Sequence, residues 1–333
     1  LKIHSSGEAF WQSIDNFGRP TVEARWCCKV CKLGAITQLI EKNYENGCLT
    51  FIGQRRYESE IRANSDNVWK NPWIGNQIGA TPIQNWTALH VWLYLFWKGA
   101  RYNPLYELGF DRIGCWLCPS ASMADFSRLR EIHPELYRKF EKYLLDYAAQ
   151  NGLQAGWVTY GFWRWQVLPK SIRMMAEKKG ISTVPVPETK PLRITMTAGY
   201  RPCKTGGLTA EGNFQVALNL PLLEETGMLR VIGDISSVEG LILVQHGDEN
   251  LHVYASGTVV ARGRDEERTR ELIGSAEKAI KRALSCTGCG ICIGQCTEHA
   301  VSLNQTARIN DKCTHCGRCT PACPVVKFSN QKP

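Results

Sequence analysis

Apolar residues in "AITQLIEKNYENG" (residues 35–47) recur at helical spacing and stop at Asn-Gly, which predicts an amphipathic helix closed by a turn. "LTFIGQRR" (residues 49–56) reads as a strand running into a loop, and a polar stretch rich in tryptophan leads from it to "TPIQNW". The longest apolar run, "WTALHVWLYLFW" (residues 86–97), is broken by Thr87 and His90, with Asn85 or Thr87 as its opening cap. A bilayer span needs about 20 apolar residues, so this run predicts a buried helix instead. After the "CWLCPS" turn, "MADFSRLREIHPELYRKFEKYLLDYAAQNG" (residues 123–152) reads as helix interrupted near Pro134. Strand and helix alternate through this zone, the order expected of an α/β layer with a parallel sheet.

A second zone opens at "STVPVPETKP" (residues 182–191), which reads as a proline-rich linker. The stretches "LRITMTAGY", "NFQVALNL", "LRVIGDISS", "LILVQHG" and "LHVYASGTVVARG" then alternate as antiparallel strands. A charged helix, "RDEERTRELIGSAEKAIKRALS" (residues 264–285), closes an α+β module that carries no catalytic signature. Structural support, a docking surface and a substrate platform all stay open for it. The division expected is residues 1–181, an α/β domain; 182–284, the α+β module; and 285–333, a cysteine-rich domain.

Composition narrows the class. With 333 residues, 44% hydrophobic and 21% charged, the chain has room for two or three globular domains. The opening "LKIHSSGEAF" has no apolar signal core, and a first residue other than Met leads us to expect an amino-terminal portion of a longer protein ahead of it. Fifteen cysteines without a secretory signal point to a reducing, cytoplasmic compartment and to metal ligation, with no membrane involved. The formal charge of +9 raises a nucleic-acid partner, tRNA included. Thiolate-ligated 4Fe–4S clusters, at roughly −2 each, reduce it toward about +3 if three are held. A mildly basic solvated surface is then the plainer reading.

The strongest chemical signal is at the carboxy-terminal end. "CTGCGICIGQC" sets Cys286, Cys289, Cys292 and Cys296 at C-x2-C-x2-C-x3-C spacing, and "CTHCGRCTPACP" repeats it with Cys313, Cys316, Cys319 and Cys323 followed by Pro324. This is the bacterial dicluster ferredoxin run, in which the fourth cysteine serves the other cluster. It assigns Cys286, Cys289, Cys292 and Cys323 to one 4Fe–4S cluster, and Cys313, Cys316, Cys319 and Cys296 to the second. Gly288, Gly290 and Gly317 give the backbone the freedom to wrap a cubane. Zinc prefers two separated ligand pairs. Thr297 departs from the proline usual at its position, outside the ligand set. His299 and His315 are expected to tune cluster hydrogen bonding, and the "WRW" at residues 163–165 to pack in the core.

At the other end, "RWCCKVCKLG" (residues 25–34) places Cys27 beside Cys28. Neighbouring Cα atoms lie about 3.8 Å apart, whereas a relaxed disulfide spans about 5.5–6 Å. The pair therefore suits ligation, or one ligand and one reactive thiol. Cys115 and Cys118 in "GFDRIGCWLCPS" are the expected partners, for zinc or for a third cluster. "GQRRYESEIRA" concentrates Arg55, Arg56 and Arg62 after a strand, with Gly53 permitting a tight turn; arginine forks match sulfate and phosphate oxygens.

Together, "RWCCKVCKLG", "IGQRRYESEIRAN", "TPIQNWTALHVWLYL" and "GFDRIGCWLCP" resemble the carboxy-terminal half of the sulfonucleotide reductases, which reduce APS or PAPS to sulfite. The resemblance implies a partial PP-loop α/β fold. It also implies a 4Fe–4S cluster on Cys27, Cys28, Cys115 and Cys118, Lys32 close to it, and substrate contacts from Gly53, Arg55, Arg56, Ser59 and Arg62. With the ferredoxin domain, that makes three clusters. Two family features are absent: the Ser-Gly-Gly-x-Asp phosphate loop and the mobile Glu-Cys-Gly segment that carries the nucleophile. A separate amino-terminal segment or subunit is expected to supply the first. Candidates for the second are Cys203, flanked by Arg201 and Lys204, and Cys31, beside Lys29 and Lys32, because basic neighbours lower a thiol pKa. Cys48 reads as core.

Three functions follow. The first is an oxidoreductase acting on an adenine sulfonucleotide, with an external low-potential donor feeding the ferredoxin domain. The second is an ATP-dependent PP-loop sulfur transferase of the tRNA-thiolation type. The third is an electron-transfer subunit without nucleotide chemistry of its own. Four cysteine ligands at the third cluster favour the first, since no iron stays open for sulfide; the missing Glu-Cys-Gly segment favours the second.

Overall fold

The computed structural model describes residue 6 and residues 8–183, 195–200, 208–214 and 216–328, the backbone alone over 195–200. Cys203 and the proline-rich linker from residue 184 onward lie outside the described residues. The chain runs α1 (Ala9–Phe17), a π-helical turn (Cys28–Leu33), α2 (Gly34–Asn43), β1 (Cys48–Phe51), α3 (Glu60–Ala63), β2 (Val68–Lys70), β3 (Gln77–Ala80), α4 (Ala88–Trp97), α5 (Met123–Ile132), α6 (Pro134–Gln150), α7 (Ala155–Thr159) and α8 (Lys170–Lys178). Then come β4 (Thr195–Tyr200), β5 (Leu208–Asn213), α9 (Leu220–Thr226), β6 (Asp234–Val238), β7 (Leu241–His246), β8 (Glu249–Tyr254), β9 (Thr258–Gly263), α10 (Glu266–Ser285), β10 (Val301–Asn304), β11 (Thr306–Ile309) and α11 (Pro324–Phe328). This is the expected mixed α/β and α+β class. The chain forms two compact units, one of Leu1–Gly18, Trp26–Asn43 and Thr189–Lys332, the other of Arg19–Arg25 and Tyr44–Glu188.

The second of these units holds a three-stranded sheet in the order β1-β3-β2, with β1 and β3 parallel, Leu49 opposite Ile78, and β2 antiparallel to β3. The sheet is thus mixed where the strand and helix order predicts a parallel one. Pro134 divides α5 from α6 as predicted. The core gathers on these helices, where Phe126, Phe140, Leu144, Trp157, Phe162 and Trp163 are buried. Arg19 is buried among them, its Nε donating to the Trp163 carbonyl (3.1 Å) and its guanidinium lying 5.1 and 5.0 Å from the Tyr147 and Trp157 rings.

The helix expected to be buried is not. Thr87 caps α4, its hydroxyl accepting from the His90 N–H, but no residue of α4 is buried, and Leu93, Phe96 and Trp97 are 57%, 62% and 73% exposed. Among the described residues its aromatics pack on one another instead, Trp92 lying 5.7 Å from Phe96, 5.1 Å from Tyr102 and 5.0 Å from Tyr106.

The first unit is built on an antiparallel sheet in the order β4-β5-β9-β8-β7-β6, backed by α10. Ile242, Val244, Leu251, Val253, Val259 and Ala261 alternate inward from the sheet and meet Leu272, Ile273, Ala276 and Ile280 of α10. Three strand expectations change. The stretch 213–220 is not a strand of its own: Asn213 ends β5, Phe214 and Leu218 are buried beyond it, and Asn219 caps α9, which opens at Leu220 with Pro221 in its first turn. Residues 228–231 form a tight helical turn before β6. The run 251–263 folds as a hairpin between β8 and β9, turning at Gly257, whose φ of +93° a side chain would strain. The cysteine-rich end adds the β10–β11 hairpin to the same core.

Candidate metal and anion sites

The two cysteine runs interleave as their spacing implies. Cys286, Cys289, Cys292 and Cys323 line one cavity, together with Arg282 and Ala307. Cys296, Cys313, Cys316 and Cys319 line another. Gly288, Gly290 and Gly317 all have positive φ, which lets the loops wrap inward. Backbone amides point at the sulfurs, Ala307 N–H at Cys286 Sγ and Ala300 N–H at Cys296 Sγ, both at 3.3 Å. Burial pushes the Cys289 thiol up to about 12 and the Cys292 and Cys323 thiols upward as well. Thiols so buried become thiolates when a cationic core takes their charge. Donor set, amides and burial therefore fit iron–sulfur cubanes. Among the described residues no group of three or more His, Cys, Asp or Glu converges to hold one metal ion; in a cubane each thiolate takes its own iron.

His315, at φ +57°, sets its Nδ1 2.5 Å from the Arg230 carbonyl and its Nε2 3.5 Å from Asp234, bracing the second cavity's loop. Thr297 stays outside both cavities, its hydroxyl on Glu298.

Within the same unit lie Cys27, Cys28 and Cys31, all half-buried, with the exposed Lys32 beside them. Cys28, Cys31 and Lys32 occupy the π-helical turn, a helix defect frequent at functional sites. It continues into α2, where the Gln38 amide donates to the Gly288 and Cys289 carbonyls at 3.1 and 3.3 Å.

The arginine loop belongs to the other unit. Glu58 receives Arg55 at 3.2 Å and also pairs with Arg62, while Ser59 caps α3 by accepting from the Arg62 N–H. Arg56 is held by the Asn85 carboxamide oxygen (2.8 Å) and the Ala63 carbonyl (2.6 Å), so it braces the loop. Gly53 does not make the turn expected of it: its φ is not positive, and an added Cβ would stand 3.8 Å from Ile83. Cys48, expected in the core, is half-buried, with Sγ 3.5 Å from the Thr50 hydroxyl.

Cys115 is exposed and Cys118 half-buried in that same unit, their loop closed by the Cys118 N–H on the Cys115 carbonyl (3.0 Å). Arg164 donates to the Pro119 carbonyl at 2.7 Å. Burial lowers its pKa, and Cys118 acts against that shift. Arg164, Gln38 and Arg282 are site residues that sequence reasoning missed. Gln38 and Arg164 lie far along the chain from the cysteine loops they touch, and Arg282, four residues before Cys286, sits on a charged helix where nothing marks it from its basic neighbours.

A model of the phosphoadenosine phosphosulfate reductase domain matches residues 1–121, and a model of the 4Fe-4S binding domain matches residues 307–326. A sulfonucleotide-reductase domain and a ferredoxin-type domain share this chain. The chain is 43% identical over 164 residues to an uncharacterized protein of Methanocaldococcus jannaschii, covering 49% of this chain and 34% of that one. A second uncharacterized protein of that organism is 38% identical over 176 residues, covering 52% and 41%. The adenosine 5'-phosphosulfate reductase of Bacillus cereus strain AH820 is 29% identical over 117 residues, 35% of this chain and 43% of the enzyme. The chain thus spans less than half the length of these relatives. No solved structure matches it. Among the described residues no helix is long and apolar enough to cross a membrane.

Proposed function

We propose that the chain is an iron–sulfur oxidoreductase that reduces an adenine sulfonucleotide to sulfite, using electrons passed through its own ferredoxin-type domain. The observation that carries this reading is the seat of α2 on the Cys289 loop. The segment bearing Cys27, Cys28 and Cys31 runs directly into the helix whose Gln38 grips the Gly288 and Cys289 carbonyls. Electron-carrying cysteines and the vicinal pair therefore belong to one compact unit.

In this reading the clusters supply single electrons, two per turnover. Two electrons enter, the S–O bond to the nucleotide breaks, and sulfite and the nucleotide phosphate leave. Arg55 and Arg62 bind the phosphate and sulfate oxygens in exchange for Glu58, and Arg56 holds their loop on Asn85 and Ala63. By resemblance, Cys27, Cys28, Cys115 and Cys118 hold the third cluster, Lys32 lies near the substrate, and Gly53 and Ser59 complete the binding segment. Cys31 and Cys203 are the candidate nucleophiles, a low-potential carrier is the external donor, and a separate amino-terminal segment completes the pocket.

The test is anaerobic calorimetry of the full-length protein with AMP, APS, PAPS and ATP, with iron and sulfide quantified. Tight APS or PAPS binding at about twelve iron per chain, followed by sulfite release under a low-potential donor, is the expected result. ATP binding with no preference for a sulfonucleotide rejects it in favour of sulfur transfer to an acceptor such as tRNA. Loaded clusters with no nucleotide binding leave an electron-transfer subunit.

A further inference from the structure

Arg282, in the last turn of α10, is 1% exposed, an unusual place for a guanidinium. Among the described residues no carboxylate receives it. Its Nη1 donates to the Thr320 hydroxyl at 2.9 Å and its Nη2 to Cys319 Sγ at 3.4 Å, while its Nε is buried without a hydrogen-bond partner. Cys319 lines the second cysteine cavity, yet Arg282 itself lines the first, with Cys286, Cys289, Cys292 and Cys323. One buried cation therefore stands against both thiolate sets. An unpaired buried charge costs several kcal/mol unless something neutralises it, and here the acceptors within reach are sulfurs.

We propose that Arg282 is a charge-compensating residue shared by the two ferredoxin-type clusters, raising the potentials of both so that the domain holds two electrons at once. A thiolate-ligated 4Fe–4S cluster goes from about −2 to about −3 on taking an electron, and its potential follows the net charge and hydrogen bonding around it. A fixed positive charge in a low-dielectric interior favours the more negative state of each cluster. It also offsets the repulsion that the second electron meets from the first. Each cluster accepts one electron from an external one-electron donor; no bond breaks and no proton need move. Arg282 acts through the clusters and touches no substrate, so the inference stands apart from the sulfonucleotide reading.

The experiment is a potentiometric titration of the anaerobically reconstituted full chain, reduced with titanium(III) citrate and followed by EPR. In Arg282→Gln, both midpoints are expected to fall by the equivalent of at least tenfold in the reduction equilibrium, about 59 mV for one electron. In Arg270→Gln, a half-exposed arginine on the same helix, both stay in place. Thr320→Asp keeps the guanidinium but sets a carboxylate on its Nη1, so it too is expected to lower both midpoints, and it carries the test if Arg282→Gln fails to retain about eight iron. Unchanged midpoints in a fully loaded Arg282→Gln or Thr320→Asp overturn the proposal. A shift confined to one cluster overturns the shared role.

Discussion

The Gln38 side-chain amide donates to the carbonyl of Cys289, 251 residues away, at 3.3 Å. One turn earlier on α2, a Cβ added at Gly34 would stand 2.8 Å from the Cys289 carbonyl oxygen and 3.0 Å from the Cys289 Cβ. The helix therefore approaches the cluster loop at backbone distance, and only glycine fits there. Gly34→Ala is expected to cost about 1–3 kcal/mol by overpacking, and Gln38→Ala about 1 kcal/mol through two lost hydrogen bonds. Thermal unfolding of the loaded chain measures both. If Gly34→Ala unfolds like wild type with its iron retained, the contact has no structural weight.

Iron stoichiometry separates the cysteine sets. Cys289→Ser and Cys316→Ser are each expected to lower the count from about twelve iron by between about one and about four, because the iron that loses its thiolate keeps only sulfide ligands from the cluster. Cys27→Ser and Cys115→Ser should do the same if the vicinal pair and the distant pair hold a third cluster. A wild-type count of about eight, unmoved by the latter two substitutions, would remove that cluster.

Much of this was readable before any coordinates. The two C-x2-C-x2-C-x3-C runs carry their geometry in their spacing, because a loop that short wraps a cubane in one way. Their interleaving, Cys323 with the first run and Cys296 with the second, appears in the two cavities. Strands were harder. "NFQVALNL" alternates like a strand, yet Asn219 and Pro221 open a helix, and Phe214 and Leu218 reach the core from irregular backbone while Val216 is exposed. Arg282, Gln38 and Arg164 left no pattern, since their partners are set by the tertiary fold alone.

The arginine loop makes a prediction about Glu58, which occupies both Arg55 and Arg62. An incoming anion must displace that carboxylate. Glu58→Gln should therefore tighten nucleotide binding, by up to about fivefold for ion pairs this exposed. Arg55→Ala and Arg62→Ala should weaken it with little change in melting temperature. Arg56→Ala should weaken binding and lower the melting temperature together, since it removes bonds to Asn85 and Ala63. Calorimetry with AMP and APS, paired with thermal melts, reads all four. Glu58→Gln binding more weakly would mean that the carboxylate positions the guanidiniums.

The last prediction concerns α4 and the sheet of the same unit. Leu89, Leu93 and Trp97 form a stripe at four-residue spacing, each more than half exposed, and Leu49, Phe51 and Ile78 leave one sheet face apolar and open. Patches of this kind drive association and bind apolar dyes. The chain by itself is expected to enhance the fluorescence of an anilinonaphthalene sulfonate dye and to self-associate at micromolar concentration in sedimentation velocity. Leu93→Glu combined with Trp97→Glu should lessen both, while costing little stability because neither side chain is buried. If the double variant unfolds at a much lower temperature, these residues are covered in solution by contacts other than those described, and the exposed face of α4 is an interface within the folded protein.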